Sequence, residues 1–158
     1  MTLFTTLKAR YLLIFLGIVS VIAIACGTDT PVGSVRNRIL EHDPDATRGG
    51  DVLQPFFEVT GERMVVFGEG IEVFLFDSIE DAEAASDGVS ETASSIVSTD
   101  GSISSPLWVA QPHFYLRGNV IVIYVGENVA ITGLLEEIGA EKFAEGAARI
   151  GGLPLQSR

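Results

Sequence analysis

Histidine is the usual general base near neutral pH because its ordinary titration falls there. This chain has two, His42 and His113. His113 lies in Pro112-His113-Phe114-Tyr115, within a run that reads as a strand. Serine and aspartate are plentiful, so a Ser–His–Asp grouping is left open by the sequence. The Gly-x-Ser-x-Gly turn that exposes a hydrolase nucleophile is not met, because Gly88-Val89-Ser90-Glu91-Thr92 ends in threonine. No second histidine or cysteine stands near His113, so a zinc site of ordinary ligation is not expected. The plainer expectation is a strand histidine bonded to a backbone carbonyl.

Asp43, Asp45, Thr47 and Asp51 have the spacing of calcium-loop ligands. However, Arg48 stands where glycine must make the sharp turn, and Gln54 where a bidentate glutamate must close the shell. No metal ligands are assigned on that basis. Trp108, Phe114, Tyr115 and Tyr124 offer faces that stack on a sugar or an apolar ligand, although aromatics at hairpin spacing more often fill a core. Trp108, His113 and Tyr115 are therefore the candidate ligand or partner surface, and no residue is assigned as catalytic. Gly126-Glu127-Asn128 precedes an expected helix, but its glutamate makes it a poor anion site. No cofactor-binding glycine motif or basic patch stands out.

The sole cysteine, Cys26, rules out a disulfide within the chain. Ahead of it, Lys8 and Arg10 are the only charges, and Tyr11–Ala25 is an uncharged, mostly apolar run of 15 residues. Ala23-Ile24-Ala25 places small residues just before the cysteine. Basic flank, apolar run and small residues are the layout of an export signal. A spanning helix needs about 20 apolar residues and usually basic residues at its cytoplasmic end. Here the run is shorter, and no Lys or Arg follows until Arg36.

Ala23-Ile24-Ala25-Cys26 resembles the lipobox of bacterial lipoproteins, with Ala23 where leucine is commonest. The resemblance implies cleavage after Ala25 and a diacylglycerol thioether on Cys26. The partner it implies is a lipid bilayer: the outer face of the cell membrane, or the outer membrane in a two-membrane cell. Each buried methylene contributes about 0.8 kcal/mol, so an anchor with more than one chain is stable where a single chain is marginal. Without Lys8 and Arg10 the formal net charge moves from −11 to −13. Such acidity excludes nucleic acid as a partner and holds a domain off an anionic bilayer.

These residues must be positioned by three segments: 1–25 as signal, 26–51 as lipidated cysteine and flexible tether, and 52–158 as a small acidic domain. Gly27–Asp51 is rich in Gly, Pro, Asp, Thr and Arg without sustained periodicity, as expected for a spacer. Beyond it, Arg63–Phe67 and Ile71–Phe76 suggest a hairpin turning through Gly68-Glu69-Gly70. Ser78 with Asp81 suggests a capped helix through Ala82 and Ala85, followed by a long loop over Ser86–Ser105 with a short strand near Ile96. Leu107–Leu116 and Asn119–Val125 suggest a second hairpin turning at Arg117-Gly118-Asn119. Its strand Val120–Val125 is β-branched or aromatic throughout, as in a doubly buried strand.

Asn128 then caps a helix whose Ile131, Leu134, Leu135 and Ile138 make one apolar stripe, with Gly139 at its end. Ala140–Ala148 is expected as a short further helix with Phe143 inward. The order β-β-α-β-β-α predicts an α+β two-layer sandwich, an antiparallel sheet from two hairpins with helices on one face. Trp108, Pro112-His113-Phe114-Tyr115, Gly118 and Val125-Gly126 resemble the closing series of small bacterial lipoproteins, a likeness that carries no activity with it.

The functional expectation is a membrane-anchored binding or adaptor module that takes an envelope protein or a small ligand. The alternative is an envelope hydrolase with His113 as general base. The anchor is tested directly: wild-type protein should stay with membranes and carry lipid on Cys26, and Cys26→Ala should lose the processed lipid form by mass. An unmodified Cys26 in membrane-extracted protein would overturn the assignment.

Overall fold

The structure, a computed structural model, describes residues 31–147. The segment expected as an export signal, with Ala25, and the expected lipid site Cys26 lie outside the described residues, as do residues 148–158. Eight strands are present among these: β1 Thr47–Val52, β2 Gly61–Val66, β3 Glu69–Leu75, β4 Ile96–Val97, β5 Ile103–Ser104, β6 Pro112–Arg117, β7 Val120–Val125 and β8 Glu141–Glu145. Three helices accompany them: α1 Pro31–His42, α2 Ile79–Asp87 and α3 Val129–Glu137. The fold is α+β.

The architecture grows from β3 and β7, antiparallel partners with Ile71 opposite Tyr124, Val73 opposite Val122 and Phe74 opposite Ile121. Alternate side chains of a strand leave opposite faces. Both faces are apolar here, so both must be covered. Ile71, Val73, Val120, Val122 and Tyr124 pack with Val35 and Ile39 of α1 and Ile131, Leu134 and Leu135 of α3. Phe74, Ile121 and Ile123 pack on the other side with Phe56, Phe57, Ala82 and Ala85. The sheet thus lies between α1 and α3 on one face and α2 with two loops on the other. Helices on one face alone were expected. A strand pair apolar on both faces has no stable two-layer arrangement.

The six-stranded sheet runs β1-β2-β3-β7-β6-β8, with antiparallel neighbours throughout. Both hairpins are tighter than expected. Val66 pairs with Glu69, so the first turns on Phe67 and Gly68 rather than on Gly68-Glu69-Gly70. Both residues have positive φ, 49° and 82°, the mirror-image turn that matches strand twist. Arg117 pairs with Val120, so the second turns on Gly118 and Asn119.

Three segments depart from the sequence reading. Residues 31–42 and 47–51, expected within the tether, belong to α1 and β1. Val35 and Ile39, four apart, are enough to bury one face of that short helix on the sheet. Residues 141–145, expected as helix, form edge strand β8 beside β6. The unpaired flank of β6 outweighs the local helical preference of Ala and Glu, because an uncovered ladder leaves N–H and C=O groups unbonded. Charged residues Glu141, Lys142 and Glu145 then line one edge of the sheet, and β1 with its irregularity between Arg48 and Gly50 forms the other. Both features protect edges against strand addition.

The expected caps are in place. Ser78 Oγ accepts from Asp81 N at the start of α2, and Asn128 accepts from Ala130 N at the start of α3. Asp43, dismissed as a calcium ligand, is buried, and its carboxylate accepts from Phe67 N at 2.6 Å and from Asp45 N at 3.3 Å. It ties the end of α1 to the first hairpin turn. No cluster of three or more metal-ligating side chains occurs among the described residues. Asp43→Ala strands the Phe67 amide and is expected to cost about 1–3 kcal/mol of stability, read from the midpoint of urea unfolding. An unchanged midpoint would show that the tie is idle.

Candidate functional site

The predicted surface of Trp108, His113 and Tyr115 does not exist as one surface. His113 and Tyr115 share a face of β6, whereas Phe114 and Trp108 pack on the other. Tyr115 is fully buried among the residues under α1 and α3. Its hydroxyl has no partner among the described residues. Burial first, then the charges of Glu136 and Glu145, push its phenol up to about 12.

His113 is 6 % exposed and stacks on Tyr124, with ring centroids 5.6 Å apart and 13° between planes. Its Nε2 donates to the Gly126 carbonyl at 3.0 Å, which fixes the proton on that nitrogen. Nδ1 has no hydrogen-bond partner among the described residues and faces Glu145 Oε2 at 3.6 Å. The sequence reading of a backbone-bonded strand histidine therefore holds. Lys142, donating to Glu145 at 2.5 Å, holds that carboxyl below the usual range against desolvation, with smaller help from His113 and Gln111. Gln111, His113, Glu127, Thr132, Lys142 and Glu145 line a shallow polar hollow here. Its one hydroxyl side chain, Thr132, donates to the Val129 carbonyl at 3.3 Å. The constellation orients an imidazole but presents it with no nucleophile.

Trp108 is half-buried, and Nε1 donates to the Ala93 carbonyl at 2.7 Å. Ala93 is fully buried at φ 49°, a conformation that alanine adopts only under constraint. Trp108 is therefore a clamp on the long loop as well as a core residue. Ser90 organises the same loop, its Oγ accepting from the amides of Ser94 and Ser95 at 3.1 Å each. From Trp108 a chain of edge-to-face contacts runs through Phe56 and Phe57 to Phe74 and Phe76, with centroid spacings of 6.4, 4.9, 5.0 and 5.5 Å.

At the end of that chain lies a cavity of about 290 Å³, near the lower limit for small-ligand sites. Phe56, Phe57, Phe76, Val59, Ala85 and Val97 make its apolar wall. Glu58, Asp77 and Asp81 stand around it as exposed carboxylates, with Ser98 and Thr99 alongside and no Lys, Arg or His. Local bonds hold the three contributing segments in place. Gln54 Nε2 donates to Glu72 Oε2 at 2.7 Å, and Phe57 N donates to the Gln54 carbonyl at 3.2 Å. Asn119 Nδ2 donates to the Phe76 carbonyl at 2.7 Å, fixing the strand end just before Asp77.

Val97 N donates to the Gly88 carbonyl at 2.8 Å, and a Cβ on Gly88 would sit 2.2 Å from the Val97 carbonyl oxygen. Only glycine allows that approach. Thr99 Oγ1 donates to Glu58 Oε1 at 2.6 Å, and Ser78 Oγ to Asp81 Oδ2 at 2.7 Å. The sequence reading named Asp81 and Ala85 only as parts of a capped helix and Phe76 only as a strand residue, and it assigned none of the lining residues to a site. Glu58 and Thr99 are 41 positions apart, a distance at which no sequence spacing carries a signal.

Fold and cavity together define an α+β protein whose sheet, covered on both faces, carries one acidic, aromatic-walled recess of ligand size. No protein-family model matches the chain, and no curated protein or solved structure is similar to it. No helix among the described residues is long and apolar enough to cross a membrane.

The Tyr115 environment gives a pH dependence with a definite sign. The unfolded phenol ionises near about 10, whereas the folded one holds its proton to about 12. The native state thus keeps a proton that the unfolded chain has lost. The contribution is intact below about pH 10 and is lost as pH rises towards about 12. Tyr124 adds in the same direction through burial and its bond to Glu69. Tyr115→Phe is expected to leave stability at neutral pH nearly unchanged, because the hydroxyl it removes is unbonded. It should also flatten the alkaline decline in urea midpoint. An equal decline in both proteins would contradict this account.

Proposed function

We propose that this protein is an extracytoplasmic binding module, anchored to a membrane through acylated Cys26, that takes a small ligand in the recess between residues 56–59, α2 and residues 97–99. The observation that carries this reading is the recess itself. It joins an aromatic wall to carboxylates that no lysine, arginine or histidine accompanies. Apolar walls with a few placed polar groups are the usual makeup of ligand sites. A hydrolase built on His113 is the weaker reading. The facing pair His113–Glu145 favours it, but Nε2 is already committed to Gly126 and no nucleophile adjoins Nδ1. A protein partner is supported at a different place, where Leu107 and Val109 flank Trp108 at 76 % and 90 % exposure.

Occupancy is tested with Val97→Trp, which crowds the recess at a residue already 44 % exposed. Saturation-transfer NMR with a set of one-ring fragments that includes neutral, anionic and ammonium members should detect binding of at least one to the wild-type chain and of none to the variant. Equal binding to both, or binding to neither, would remove the recess as a ligand site. In-cell cross-linking that recurrently captures one envelope protein through Leu107–Val109 would replace it with the adaptor role.

A further inference from the structure

Resting on the reading of the recess as a ligand site, we infer that its ligand is a small organic cation, a protonated amine carried on a ring or short apolar chain. Glu58, Asp77 and Asp81 border one cavity together. Two of these carboxylates already take a hydroxyl donor, Glu58 from Thr99 and Asp81 from Ser78. A carboxylate accepts several hydrogen bonds at its two oxygens, so both retain capacity for an ammonium. Asp77 has neither an ion-pair nor a side-chain hydrogen-bond partner among the described residues. Elsewhere Arg48, Arg63 and Lys142 pair with the carboxylates nearest them.

Ser98 supplies the independent indication. It lines the same cavity at 9 % exposure, and its buried Oγ has no hydrogen-bond partner among the described residues. Buried polar side chains almost always find a partner, and this hydroxyl, now turned behind the recess wall, meets a bound group on rotating about its Cα–Cβ bond. A hydroxyl accepts from an ammonium N–H as readily as it donates. The walls complete the argument. Phe56, Phe57 and Phe76 line the recess with apolar surface for the body of the ligand, and aromatic rings are favourable neighbours for a cation. An anion would meet three carboxylates. A bare divalent ion would leave the aromatic wall unused.

The size of the cavity, about 290 Å³, limits the ligand to roughly one ring with a short arm. Attraction at an exposed rim is screened by salt, so affinity should fall as ionic strength rises. Neutralising carboxylates that act on the ammonium should weaken binding about tenfold, the equivalent of about 1.4 kcal/mol.

The test uses the full chain in nanodiscs of zwitterionic lipid, followed by amide NMR. The probes are 2-phenylethylammonium, its neutral analogue 2-phenylethanol, the anion 3-phenylpropionate, and calcium chloride alone. The expected result is that the ammonium shifts the amides of Val59, Ser98 and Thr99 and the other probes do not. Glu58→Gln with Asp77→Asn should weaken that binding about tenfold without changing the rest of the spectrum. Equal shifts from the neutral analogue would keep the recess as a binding site and overturn its preference for cations. Calcium shifting the same amides in place of the amine would overturn the organic ligand. No probe shifting them would overturn both readings.

Discussion

Strands β3 and β7 carry apolar side chains on both of their faces, and neither face tolerates water. Each fully buried Val, Ile or Phe contributes about 1.5–3 kcal/mol relative to exposure, so leaving one side of this pair open would forfeit the core of the molecule. The rest of the fold answers that demand. On one side α3 brings its stripe of Ile131, Leu134 and Leu135, and α1 adds Val35 and Ile39 beside it. On the other, α2 offers only small residues, Ala82 and Ala85, and is too slight to cover the sheet alone. Phe56 and Phe57 fill the difference. The recess opens where this cover of a thin helix and a folded-in loop comes to an end.

The same constraint explains why the candidate residues part company. On β6, His113 and Tyr115 alternate with Phe114, so one strand feeds two separate environments. At the start of α3 three polar groups satisfy one another: Tyr124 donates to Glu69 at 2.7 Å, and Asn128 bonds both, clamping the start of α3 to the start of β3. On the α2 face the polar groups gather at the edge of an aromatic core and remain open to solvent. A side chain held by its neighbours stabilises a fold, whereas a group with spare hydrogen-bonding capacity can serve a ligand.

Electrostatics place the two ends of the molecule under different rules. The arginines of β1 and β2 pair with Glu62 and Glu72 across neighbouring strands, and Arg48 pairs also with Asp51 in its own strand. Around the recess carboxylates stand without cations, and the helix start there is already served by Glu80, Asp81 and the Ser78 cap. Exposed charge of one sign is tolerable in water, where repulsion is screened, and it becomes attraction as soon as a cation arrives. The large net negative charge of the chain is therefore partly a local property of one surface.

The sequence by itself determined the elements whose signal is local. The capped helix after Ser78, the helix after Asn128 with its Gly139 end, and the doubly apolar Val120–Val125 each follow from residues within one or two turns of each other. So did the α+β class, because strand and helix periods can be read without knowing what they pack against. Tertiary structure alone decided the rest. Only the demand of an uncovered sheet face turned 31–42 from spacer into helix, and only the open flank of β6 turned 141–145 from helix into strand. The face on which α2 lies, the split of Trp108 from His113 and Tyr115, and the meeting of Glu58 with Thr99 depend on how distant segments close upon one core. Short-range propensity amounts to a fraction of a kcal/mol per residue, which burial of a single side chain outweighs, and burial is settled only when the whole chain has folded.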